Sequence, residues 1–166
     1  MKGGYPVDLP PYTIYPNLGS HTYTLRINDG VNAAVTRDIE VSVTDSTAPT
    51  LSPVPDKSIL WPPNHKMVDI TIEANASDNT GGVTLTATVS SNEPDSGLWD
   101  GDIGPDWTEP VIDQETGIIT LQLRAERDDS GDGRIYTITV TATDVSNNSS
   151  NVQLEIIVPH DQGKKK

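Results

Sequence analysis

The sequence predicts an all-β protein folded as an antiparallel sandwich. Apolar residues alternate with Thr and Ser from end to end, the period of a strand with one buried face. No segment carries apolar residues at the 3.6 spacing of a helix. Thirteen Pro and thirteen Gly punctuate the alternating runs, which suits a fold with many turns.

The first alternating run places Tyr23, Leu25 and Ile27 on one face. The second places Ile39, Val41 and Val43 in phase, and Asp29-Gly30 between the two is a turn signal. Thr44-Asp45-Ser46-Thr47-Ala48-Pro49 then breaks the pattern, and Pro49 cannot donate to a ladder. A domain boundary is expected there. Residues 1–45 read as the last two strands of a sandwich, with the Tyr5 to Tyr15 stretch or another chain as the source of further strands. Two strands alone are marginal in water.

Residues 46–163 carry the pattern of a complete sandwich. Residues 57–61 are a short strand candidate. Alternation then recurs at Val68–Ala74, Val83–Val89, Ile119–Ala125, Tyr136–Ala142 and Val152–Val158, with a small strand expected at 111–113. Residues 91–110 are irregular. Tyr23-Thr24-Leu25-Arg26-Ile27 and Tyr136-Thr137-Ile138-Thr139-Val140 form a weak internal repeat, each followed by one more alternating strand.

The net charge of −13 argues against nucleic acid, whose phosphates require clustered Lys and Arg. Lys164-Lys165-Lys166 reads as a solvated basic tail. No apolar stretch reaches the roughly 18 residues that span a bilayer, so no membrane insertion is expected. Met1-Lys2-Gly3-Gly4 lacks the apolar region of a signal peptide, so the signal of a secreted protein would lie outside this chain. The absence of Cys removes disulfides and thiol metal sites.

Residues 92–132 hold twelve of the 24 acidic side chains, opposed within that stretch by Arg124 and Arg127. Asp100-Gly101-Asp102-Ile103-Gly104-Pro105-Asp106 spaces carboxylates on a Gly-rich loop, the composition of a calcium site and equally of a polar turn. Strand parity sends the acidic loops to one pole of the sandwich. Asp100, Asp102 and Asp106 are therefore the first candidate Ca²⁺ ligands, with Glu93 or Asp95 completing the shell. Asp128-Asp129-Ser130-Gly131-Asp132-Gly133 matches the start of an EF-type loop, but the twelfth position is Thr139, so Asp128 and Asp132 are secondary candidates beside a plain hairpin turn. A smaller site at the opposite pole would use Asp78 and Asp144 near Asp45.

Trp99 and Trp107 bracket the acidic loop, where they would stack on sugar rings or plug the end of the core. His65 and His160, with Asp161, are a weak zinc candidate. Asn75, Asn147 and Asn148 open N-glycosylation sequons. No nucleophile elbow, metalloprotease helix or phosphate loop occurs, and catalysis is not expected.

Several stretches resemble bacterial extracellular repeats. Gly19-Ser20-His21-Thr22-Tyr23 through Gly30, followed by Val41 through Pro49, resembles the end of one immunoglobulin-like repeat of the PKD, HYR or cadherin-like kind running into the next. Leu60-Trp61-Pro62-Pro63-Asn64-His65-Lys66, Leu123-Arg124-Ala125-Glu126-Arg127 and Gly131-Asp132-Gly133-Arg134-Ile135-Tyr136 resemble a module placed near the C-terminus of large secreted bacterial proteins. The resemblance implies an immunoglobulin-like sandwich in an extracellular, tandem-repeat setting, secreted or on the cell surface, with neighbouring repeats as partners and an adhesive or ligand-presenting role. Glycans or surface proteins are the expected ligands. A carbohydrate-binding module using Trp, and an assembly subunit that self-associates through its N-terminal sheet edge, are the alternatives.

Overall fold

The computed structural model describes residues 13–95 and 104–161. The chain divides into two compact units, Met1–Asp45 and Ser46–Lys166. Among the described residues all regular structure is β-strand, and no helix is long and apolar enough to cross a membrane.

The first unit holds a two-stranded antiparallel sheet of β1 (Gly19–Ile27) and β2 (Val35–Val43). Asp29 shapes the turn between them. Its Oδ1 accepts from the backbone N–H groups of Val31 and Asn32, and its Oδ2 accepts from the Asn32 amide. Those backbone bonds hold the Asp29 carboxyl down to a pKa of about 2.

The second unit is a sandwich. One sheet has the order β4 (Val54–Pro55), β5 (Met67–Glu73), β9 (Ile118–Arg124), β8 (Val111–Asp113). The other has the order β11 (Ser149–Pro159), β10 (Gly133–Thr143), β7 (Thr84–Ser91). Short strands β3 (Thr50–Leu51) and β6 (Ala76–Ser77) pair with each other where the chain enters. The core lies between the sheets, built from the inward rows Ile70 and Ile72, Ile119, Leu121 and Leu123, Tyr136, Ile138, Val140 and Ala142, and Ile156 and Val158. Thr, Val and Ile dominate these strands because a branched Cβ packs well on a pleated surface.

Two details differ from the sequence reading. The expected strand at 57–61 is only a parallel bridge between Ile59 and Ile157, with Leu60 donating its N–H to the Ile157 carbonyl at 2.8 Å. Its true predecessors are β3 and β4, so the first strand starts beside one sheet and finishes beside the other. Leu60 is buried, and that anchoring explains the switch. The second detail is that β9 and β10 lie in different sheets. They are joined by a crossover through residues 125–132, not by the hairpin turn read from Asp128 to Gly133.

Residues 44–49 have no regular structure, although Pro49 is buried and its carbonyl accepts from Ser150 Oγ at 2.7 Å. Limited proteolysis is expected to cut between Thr44 and Ala48, or at the termini, before it cuts inside β5 or β10. Early cleavage within those strands, read by mass spectrometry of the fragments, would contradict the division into units.

Candidate functional site

The sandwich carries its polar loops at two poles. The entry pole gathers the start of β3, the turn after β6 and the turn between β10 and β11. The far pole gathers residues 62–66, the exit of β7, the crossover from β9 to β10 and the end of β11. The pairing directions of the strands fix this division.

At the far pole the acids converge on a residue absent from the candidate ligand set. Arg134 is fully buried, as are Asp106 and Glu126. The Arg134 guanidinium donates through Nη1 to Asp106 Oδ2, through Nε to Glu93 Oε2 at 3.1 Å and through Nη2 to the Pro94 carbonyl at 3.3 Å. Glu93 Oε2 also accepts from the Asp128 N–H at 2.9 Å, and Asp95 Oδ1 accepts from the Asp106 N–H at 2.8 Å. Arg124 clamps the other side by donating to the carbonyls of Pro105 and His65. The Tyr136 hydroxyl closes the network by donating to the Arg124 carbonyl at 2.8 Å.

Burial pushes the Asp106 carboxyl up from its ordinary value, and the Arg134 bond and charge pull against it. Burial works against the Arg134 charge, but Asp106, Tyr136 and Glu93 outweigh it and hold its pKa above the ordinary value. Burial likewise pushes the Tyr136 phenol up to about 12. The arrangement is a charged staple, with the Glu93–Pro94 segment and Asp106 pinned to one guanidinium whose fork geometry suits paired carboxylates.

This placement changes the role of several candidate ligands. Asp106 and Glu93 face Arg134, so their charge is balanced inside the protein, and Asp95 serves the Asp106 backbone. Asp128 Oδ1 accepts from the N–H and hydroxyl of Ser130, a local polar turn. Gly133 is the first residue of β10. Asp132 is exposed, with no described contact to the cluster. Asp100, Asp102 and Trp99 lie outside the described residues.

Trp107 is half-buried, packs on the core and meets Tyr136 edge-on at 6.3 Å. His65 Nδ1 donates to Glu126 Oε2 at 2.6 Å, and His160 Nε2 donates to the Asp129 carbonyl at 3.1 Å. Each imidazole thus has a partner of its own. Among the described residues neither belongs to a group of three converging metal ligands.

No family model matches the chain, and no curated protein does. Asp78 follows β6, and Asp144 follows β10, where it is 6% exposed. Each offers a carboxylate oxygen within 4.8 Å of the other's. Asp78 Oδ1 accepts from the N–H and hydroxyl of Thr80, while Asp78 Oδ2 is buried without a hydrogen-bond partner. Asp144 Oδ1 accepts from the N–H groups of Ser146 and Asn148. The two loops touch closely, since a Cβ on Gly82 would meet Val145 Cγ1 at 3.0 Å. Thr50 pairs with Ser77 in the residue next to Asp78, so the incoming chain reaches the sandwich at these two carboxylates. Asp45 stands one peptide bond ahead of Ser46, where the unit begins.

Proposed function

We propose that the chain is a non-catalytic, extracellular immunoglobulin-like module, a spacer or ligand-presenting part of a surface or secreted bacterial protein, with Ca²⁺ stiffening its entry pole. Two sheets of order β4-β5-β9-β8 and β11-β10-β7 support the immunoglobulin-like reading, because that is the strand arrangement of the seven-stranded form. The carrying observation is the Asp78–Asp144 pair at the point of chain entry. Two carboxylates held that close repel unless a cation or a proton lies between them. Hard oxygen ligands on turn loops suit Ca²⁺. In this reading Asp78 and Asp144 are the fixed ligands, so that binding ties the turn after β6 to the turn after β10.

Extracellular calcium modules bind at about 10⁻⁴–10⁻³ M. Ten millimolar Ca²⁺ should then add about 1.4–2.7 kcal/mol to the folded state, a rise of several degrees in Tm. Differential scanning calorimetry in Ca²⁺ and in EDTA reads this directly. The double variant Asp78→Asn, Asp144→Asn should abolish the rise, while Glu93→Gln should lower Tm equally in both buffers. An unchanged Tm of the natural chain at 10 mM Ca²⁺ would rule the cation out.

A further inference from the structure

From the first unit we infer that the β1–β2 hairpin is a docking surface for the β-sheet of a neighbouring immunoglobulin-like unit, which covers its mostly apolar face and adds a strand along the edge of β1 that pairs with no strand among the described residues. The inference rests on the immunoglobulin-like reading above but not on calcium.

The register places His21 opposite Val41, Tyr23 opposite Ile39, Leu25 opposite Arg37 and Ile27 opposite Val35. Directly paired residues share a face, so these side chains form one mostly apolar face, interrupted by Arg37 and bordered by His21. The other face carries Ser20 with Ser42, Thr22 with Glu40, Thr24 with Asp38 and Arg26 with Thr36. The apolar face holds no carboxylate, in a chain with 24 of them. Yet Leu25 is 51%, Ile27 62%, Val35 68% and Ile39 48% exposed. A patch of that composition left in water marks an interaction surface.

The second unit shows what covers the same pattern. There β10–β11 pairs Tyr136 with Ile156, Ile138 with Leu154 and Val140 with Val152. These rows match Tyr23 with Ile39, Leu25 with Arg37 and Ile27 with Val35. Tyr136, Ile138 and Val140 are fully buried because the opposite sheet contributes Ile70, Ile72, Ile119, Leu121 and Leu123. The second edge of β10 is occupied by β7, with Tyr136 opposite Ser91 and Thr143 opposite Thr84. By this equivalence the free edge of β1 takes the β7-like strand, and the Tyr23 face takes the Ile- and Leu-bearing sheet.

Area decides between this occupant and a second copy of the hairpin. Nine paired rows on two strands amount to roughly 300 Å² of flat sheet. Two hairpins stacked face to face would fall well short of the roughly 1,200–2,000 Å² that a stable interface buries. A full sheet that also adds a strand to β1 supplies the backbone hydrogen bonds and the extra area.

Hydrogen exchange followed by mass spectrometry tests this, run in EDTA so that calcium has no part in the outcome. In the natural chain the β1 and β2 amides should exchange far faster than those of β10, which acts as the internal reference. A second protein inserts an extra copy of residues 46–131, the strands that cover β10–β11, ahead of Thr13. There the β1–β2 amides should slow at least 100-fold, and Tyr23→Lys with Ile39→Lys should remove that protection. Three results would overturn the inference. They are strong protection of β1–β2 in the natural chain, protection that rises with protein concentration as a second copy docks, or no slowing in the extended protein.

Discussion

Replacing Arg134 with Met should destabilise the second unit by about 3–5 kcal/mol, because removing one partner of a buried ion pair strands the other charge. Arg134 and Asp106 are both fully buried, and Glu93 donates no proton and has no other cation within its reach in the network described. Met retains much of the aliphatic stem, so the loss reports the charge and its hydrogen bonds more than lost volume. Adding Asp106→Asn to Arg134→Met should recover part of the loss, since an amide tolerates burial without a cation better than a carboxylate does. Urea unfolding of the two single variants and the double variant gives the coupling directly. A loss below 1 kcal/mol for Arg134→Met, or strictly additive effects, would mean that the staple does not hold the far pole.

Much of the sandwich was legible because a period of two fixes which face each residue takes. The rows at Ile70 and Ile72, Ile119 to Leu123, Tyr136 to Ala142 and Ile156 to Val158 alternate in sequence and are buried in the structure. The short strand at Val111–Asp113 was legible on the same basis. The first strand was not, since β3 and β4 have two residues each and carry no period to read. The partner of a strand in the other sheet was not legible either, because periodicity says which face is buried but not which sheet a strand joins.

The far pole shows what a charge count along the sequence misses. The acidic stretch spans residues 92–132, and its principal counter-charge, Arg134, stands two residues beyond. A signal was present in the strand itself. Arg134 is in phase with Tyr136, Ile138, Val140 and Ala142, so parity alone aims a guanidinium into the core. An inward-phased arginine next to a surplus of acids is a sign of internal neutralisation, here of Glu93 and Asp106. Asp78 and Asp144 lie instead in loops, where turn geometry and not strand phase sets their placement. That contrast is why the proposed calcium moves from the acid-rich pole to the entry pole.

Gly133→Ala should cost about 2–4 kcal/mol, and by the same amount in Ca²⁺ and in EDTA. Gly133 has a φ of +115°, a conformation that L side chains rarely adopt. A Cβ built there would lie 2.7 Å from the Val158 carbonyl oxygen, 3.1 Å from the His160 nitrogen and 3.3 Å from the Pro159 Cα. All three are backbone atoms at the end of β11 or in the residue that follows it, so relief requires this chain segment to move away from β10 where Gly133 faces Pro159. The Gly133 carbonyl also accepts from the Asn92 amide at 3.1 Å, which ties the exit of β7 to the same point. Backbone strain of about 1–3 kcal/mol and overpacking of about 1–3 kcal/mol therefore act together. A shift at Gly133 would also turn Arg134, its neighbour, away from Asp106 and Glu93. If Gly133 instead served an EF-type loop begun by Asp128, the variant would lose stability only where calcium is present. Paired urea titrations in the two buffers separate the cases: a loss confined to the Ca²⁺ buffer, or one below 1 kcal/mol in both, would sink the account of Gly133 as the close-approach residue of the β10–β11 pair.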